Sequence, residues 1–312
     1  MRVLKRILIG SIIVYVVALL LDVFISKSFL KSNLFEGELN TWCDIYNKKI
    51  NEDLIIYGSS RSYVHINPTI LDKKLALNSY NLGFNGQKIE LIKFRHKELL
   101  NNEIYPKNVL INLDINLLSN TNIFYPEQFI PLLLYKKEVY DLIKNQIDLT
   151  YLDVYIPLVR YRKFKYKEIN MFHELYKVYF YSNYKHYSRK KGYRGMNYTW
   201  KDTKVNKEKI LINKTHKKEL EEIILDLKNH KSNIILINSP EYYLQIESQE
   251  NRDYIINIYK SIALKNRIPF LDYSNDSLNF KKEYFYNTNH LNSKGADIFT
   301  RKLANDIKPY LK

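Results

Sequence analysis

Five short runs rich in Ile, Leu and Val constrain this chain more than any other feature. They are "LIIYG" (54–58), "SYNLGF" (79–84), "NVLINLD" (108–114), "NIILINS" (233–239) and "PFLDYS" (269–274). None shows sustained polar–apolar alternation, so each predicts a strand buried on both faces, as in a parallel sheet. Helical patterns lie between them: "GQKIELIKFRHKELLNN", "KKELEEIILDLKNH", "NRDYIINIYKSIALKNR" and the closing "SKGADIFTRKLANDIKPYLK". Strands that alternate with helices predict an α/β fold with a doubly wound parallel sheet. Roughly 115 residues separate the third and fourth runs, far more than one crossover helix needs. Residues 120–228 are therefore expected to form a basic, Tyr-rich, mostly helical insert or lid within a domain spanning 30–312.

The N-terminus sets a second constraint. Residues 7–25, "ILIGSIIVYVVALLLDVFI", are almost wholly apolar, and about 19 residues at 1.5 Å each cross a hydrocarbon core. The run continues into "SKSFLKSN" without a small-residue cleavage site, which favours an uncleaved signal anchor over 1–29. Arg2, Lys5 and Arg6 precede it and Lys27 and Lys31 follow it. The positive-inside rule then predicts a single pass, with a cytoplasmic N-terminus and an extracytoplasmic main domain.

The formal net charge of +16 is concentrated. Residues 160–218 hold 18 Lys and Arg against 4 Asp and Glu, with nine tyrosines interleaved. Such a surface attracts polyanions. Outside the cytoplasm that favours anionic envelope polysaccharide or lipid headgroups over nucleic acid, so no nucleic-acid partner is expected. Heavy use of Lys, Asn, Ile and Tyr points to an AT-rich bacterial genome. The lone Cys43 excludes an internal disulfide and a cysteine-built zinc site. No histidine pair has metal-binding spacing, so neither a metal nor another cofactor is expected.

Ligands in open α/β sheets bind beyond the carboxyl ends of the strands, so the residues after each run are read together. Gly58-Ser59-Ser60-Arg61-Ser62 follows the first, "NLGFNG" ending at Gly86 the second, and Asn116 the third; "YFYNTNHLNSKGA" with His290 follows the fifth. A hydroxyl, a glycine-rich turn, a side-chain amide and an imidazole are the parts of an acyl-transfer site. Serine needs a base near neutral pKa, and a tetrahedral oxyanion needs fixed donors. Singly, each has a plainer reading as a turn serine, a surface histidine or a turn asparagine. Arg61, Tyr193 and Arg194 are weaker candidates for substrate contact, and His65 reads as structural.

These blocks resemble the SGNH, or GDSL-type, hydrolase superfamily over about 50–120 and 230–312. The resemblance implies a flavodoxin-like three-layer sandwich, with Ser60 as nucleophile and His290 as base. It implies an oxyanion hole formed by Ser60, Gly86 and Asn116. "GSSRS" looks like the form in membrane-anchored members associated with envelope polysaccharide acylation. That similarity implies an O-acyl, chiefly acetyl, transferase or esterase acting on a cell-envelope or capsular polysaccharide, with a membrane-embedded acyl donor protein as partner. The chain departs from the family where Ser59 replaces Asp, and where Asn287 stands in the Asp-x-x-His position. Asn287 is expected to orient His290, with Asp272 or Asp276 as other sources of charge. A non-catalytic polysaccharide-binding or assembly subunit with a degenerate site is the alternative.

Overall fold

The computed structural model describes all residues except 87–88, 121–124, 135–136, 165–169, 182–188, 199 and 201–204. Along the chain run α1 (Arg2–Phe29), α2 (Leu34–Tyr46), β1 (Leu54–Tyr57), α3 (Ser60–His65), α4 (Pro68–Leu75), β2 (Ser79–Asn81), α5 (Ile89–Asn101) and β3 (Asn108–Asn112). After them come α6 (Lys137–Ile143), α7 (Tyr151–Tyr155), α8 (Met171–Phe180), α9 (Lys214–Asn229), β4 (Asn233–Asn238), α10 (Tyr243–Ser248), α11 (Arg252–Asn266), β5 (Phe270–Asp272) and α12 (Ser293–Ile307). The chain divides into two compact units. One comprises Met1–Cys43 and Tyr125–Ser188, the other Asp44–Phe124 and Arg189–Lys312.

The second unit holds the sheet. All five strands are parallel and in the order β2-β1-β3-β4-β5, the flavodoxin-like order, whose switch point falls between β1 and β3. Strand register explains why the apolar runs lack alternation. Leu54, Ile56, Leu110, Ile235 and Ile237 face Leu71 of α4 and Phe299, Leu303 and Ile307 of α12 in one core cluster. Residues of the opposite parity face the other side, where the Tyr57 hydroxyl meets His96 of α5 at 3.0 Å. Both faces are covered, so both parities must be apolar. His96 is thus packed, not solvated.

The segment 189–196, which the sequence places in the insert, belongs to this unit. Asn81 N–H donates to the Lys191 carbonyl at 2.9 Å and Arg194 N–H to the Tyr63 carbonyl at 3.1 Å. Buried Arg189 donates to the Gly83 carbonyl at 2.7 Å and lies 4.0 Å over the Tyr63 ring. Part of the cationic, tyrosine-rich stretch is therefore structural.

The first unit contains α1, whose residues from Val3 to Leu21 are largely exposed and apolar. It is long and apolar enough to cross a membrane. Burial begins at Asp22, and Ser26, Ser28 and Phe29 follow. Arg160 donates to Asp22 at 2.5 Å and to Ser26 at 3.1 Å, and both charges are buried. Phe29 stacks on Phe164 at 5.4 Å, and Trp42 meets Phe129 edge-on at 5.6 Å.

Candidate active site

β1 ends in a turn that only glycine can make here. Gly58 has φ +148°, and a Cβ on it would lie 1.9 Å from Ser62 Oγ. Ser59 caps α3: its Oγ accepts from Arg61 N–H at 3.2 Å and donates to Asp114. Ser60 is thereby fixed as the first residue of α3, beyond the carboxyl end of β1. Gly83 closes the other wall, where a Cβ would come within 2.6 Å of Ser62 and of the Tyr63 backbone nitrogen.

His290 arrives from the loop before α12. That loop is pinned by Tyr286 N–H on the His290 carbonyl at 3.0 Å, by Tyr242 N–H on the Thr288 carbonyl at 3.0 Å, and by the Thr288 hydroxyl on Gln245 at 2.9 Å. The Tyr286 ring stacks on the imidazole at 5.3 Å. Ser60 Oγ lies 2.8 Å from His290 Nε2, across 230 residues of chain. On the far side of the ring, His290 Nδ1 lies 3.0 Å from Asn287 Oδ1.

The network fixes the protons. Asn287 Oδ1 accepts backbone N–H groups from Asn289 and His290, both at 2.9 Å, so this atom is the amide oxygen. His290 Nδ1 must then carry the hydrogen, which leaves the Nε2 lone pair facing Ser60. An amide thus sets the tautomer that a carboxylate usually sets. It does not hold a positive charge on the ring as a carboxylate would. Burial pushes the imidazole down to about 3, with Arg61 adding to the shift and Glu241 opposing it.

Asp272 and Asp276 are engaged elsewhere. Asp272 accepts from Asn238 and Ser274, while Asp276 caps Leu278 N–H and pairs with Lys302. Among the described residues, no carboxylate bonds His290.

The remaining candidates divide. Gly86 and Asn116 follow β2 and β3 at the sheet rim, and Gly86 has φ 128°. Among the described residues, the N–H groups of Ser60 and Gly86 and the Asn116 amide have no acceptor. Asn116 also borders a surface cleft with Ser119, Asn120 and Lys209. Arg61 is not a surface guanidinium: it is 2% exposed and lies 3.3 Å from Asp114 and 3.4 Å from Glu241. Half-buried Tyr193 packs against the core cluster, and Arg194 contributes its backbone N–H to the Tyr63 carbonyl.

Little in the residue order signals the charges under the site. Arg252 bonds Glu241 at 2.5 Å, which completes a buried set of two arginines and two carboxylates. Burial raises Glu241, but Arg61 and Arg252 outweigh it and hold the carboxyl below its ordinary range. Burial pushes Asp114 up to about 7, against the pull of Arg61. Only position hinted at these roles, since Asp114 closes the third apolar run and Glu241 stands two residues past the fourth. His65 is structural, and it serves the site. Its Nε2 accepts Leu291 N–H at 3.0 Å and its Nδ1 meets Ser239 Oγ at 3.1 Å, so the residue after His290 is tied to α3 and to the end of β4.

No protein-family model and no curated protein sequence matches the chain. Solved structures do. A candidate acylhydrolase from Bacteroides fragilis shares 13% identity over 82% of this chain and 87% of its own, at a TM-score of 0.40. An acetyl xylan esterase shares 12% identity over 83% and 100%, at 0.41. A GDSL-like lipase from Bacteroides thetaiotaomicron shares 12% over 87% and 98%, at 0.39. Similarity at this level decides neither chemistry nor substrate, which rest on the Ser60–His290–Asn287 geometry.

Proposed function

We propose that the protein is a serine-dependent esterase or O-acyltransferase, anchored by α1, that acts on acyl esters of a cell-envelope or capsular polysaccharide. The observation that carries the chemistry is the 2.8 Å approach of Ser60 Oγ to the unprotonated nitrogen of His290. Ser60 Oγ attacks the acyl carbonyl while its proton passes to His290 Nε2, and the carbonyl pair moves onto oxygen. Donors at the sheet rim, the Ser60 and Gly86 N–H groups and the Asn116 amide, receive that charge. On collapse His290 returns the proton to the departing alkoxide, leaving an acyl-Ser60 ester. A water or sugar hydroxyl then gives its proton to His290 and takes the acyl group, and His290 returns that proton to the departing Ser60 Oγ. Throughout, Asn287 holds the Nδ1 hydrogen.

The membrane anchor, the cationic composition and the family resemblance support an extracytoplasmic glycan substrate and a membrane-embedded acyl donor. The test is turnover of acetylated glycans and p-nitrophenyl acetate by the detergent-solubilised full chain. Acetate release that disappears in Ser60→Ala and His290→Ala supports the reading. Glycan binding without release, unchanged in both variants, would replace it with a binding or assembly subunit, the role that the missing carboxylate at position 287 favours.

A further inference from the structure

α8 is built inside out. Phe172, Tyr176, Tyr179 and Phe180 fall at i, i+4, i+7 and i+8, a single helical face. They are 81%, 57%, 48% and 73% exposed, while Glu174 on the opposite side is buried. A helix bathed in water would turn that aromatic face inward. The reason lies in where the helix is attached. Tyr179 stacks on Phe24 of α1 at 5.7 Å, and its hydroxyl meets Ser28 Oγ at 2.7 Å. Phe24 is where the exposed apolar length of α1 ends, and Asp22 is where its burial begins. The aromatic face of α8 thus starts within about one helical turn of the level at which α1 leaves a bilayer.

We propose that α8 lies in the membrane interface, with Phe172, Tyr176 and Phe180 among the lipid headgroups and upper acyl chains. Aromatic rings with polar tips favour that layer, and in-plane helices bind it with their apolar face. Continuity with the apolar surface of α1 selects lipid over a glycan or a protein. Lys177 lies beside the aromatic face, where it pairs with Glu174 at 3.6 Å. The inference rests on α1 as a membrane span, and its function would be to fix how the first unit sits on the surface.

The test uses the full chain in nanodiscs containing phosphatidylglycerol, in a Cys43→Ser background. A fluorophore is placed singly at Phe172→Cys, Phe180→Cys, Val14→Cys and Lys260→Cys. Lipid-borne nitroxide should quench the label at 172 and 180, where protection from aqueous iodide is also expected. Val14 reports the span itself, and exposed Lys260 reports water. If Val14 is quenched by lipid but 172 and 180 behave like Lys260, α8 is not in the interface. Protection of 172 and 180 from both quenchers would mean that they pack against protein, this chain or a second copy of it, and would also overturn the proposal. If Val14 fails to report lipid, the span fails, and the inference with it.

Discussion

The two units differ in how their exposed aromatic rings are arranged. Both bury rings, Tyr57, Tyr63, Tyr259, Phe285 and Phe299 in the sheet unit and Phe29, Trp42 and Phe129 in the other. The exposed rings of the sheet unit, such as Tyr105, Tyr254 and Phe280, lie on separate segments. In the other unit Tyr151, Tyr155, Phe172, Tyr176 and Phe180 are exposed, while Asp22, Asp153, Arg160 and Glu174 are buried. Both tolerate charge inside because it is paired. Asp153 shows the balance: burial raises its carboxyl, but Arg162 and Thr150 outweigh that and hold it at about 2. The difference lies in what faces outward. A surface rich in tyrosine and phenylalanine suits a surrounding less polar than water, and composition alone cannot distinguish it from a core.

The contrast can be broken at several points. The largest expected effect is at the sheet rim. Ser60→Ala should lower acetyl-ester turnover by at least about 10³-fold without moving the melting temperature, because only the reacting oxygen is removed. Next is the charge set beneath it. Arg61→Met leaves Asp114 without its ion-pair partner in a dry interior, while Glu241 keeps Arg252, and should destabilise the sheet unit by about 3–5 kcal/mol, read by denaturant unfolding. Asn287→Asp comes third. A carboxylate on Nδ1 stabilises the imidazolium, so the pKa of His290 rises and the acid limb of the activity profile moves to higher pH. An unchanged acid limb would mean that His290 is not the base. The smallest effect belongs to α8. Phe172→Ser should change stability in detergent by less than about 0.5 kcal/mol, because the ring is exposed. A larger loss would place that ring in a core and erase the contrast.

How far the sequence reached follows the same line. Each expected strand overlaps an observed one, and four of the five begin at the expected residue: Leu54, Ser79, Asn108 and Asn233. Buried parallel strands advertise themselves because both faces must be apolar. Asn287 was reached through the family resemblance, at a position where Asp is usual, whereas the meeting of Ser60 and His290 was legible because a hydroxyl and an imidazole follow the first and last apolar runs. Arg61, Asp114, Glu241 and Arg252 were not, because a charged residue in a string of letters reads as surface. Their burial depends on partners as far apart as Arg61 and Glu241, 180 residues along the chain. The 189–196 segment shows the same limit of letters alone, since its lysines and arginines look solvated while Arg189 ends on a backbone carbonyl of the sheet unit.

The account's centre is a neutral imidazole aimed at Ser60 by an amide. The rate at which a fluorophosphonate labels Ser60 tests it most directly, because phosphonylation needs the serine proton removed. A base held at about 3 is already unprotonated at mildly acid pH and charges only as pH falls through that value. Labelling should therefore hold its rate from about pH 8 down to about pH 4.5 and collapse in His290→Ala. A rate that survives loss of His290 would contradict it, while a fall near 6.5 would keep His290 as the base and put its imidazole in the ordinary histidine range.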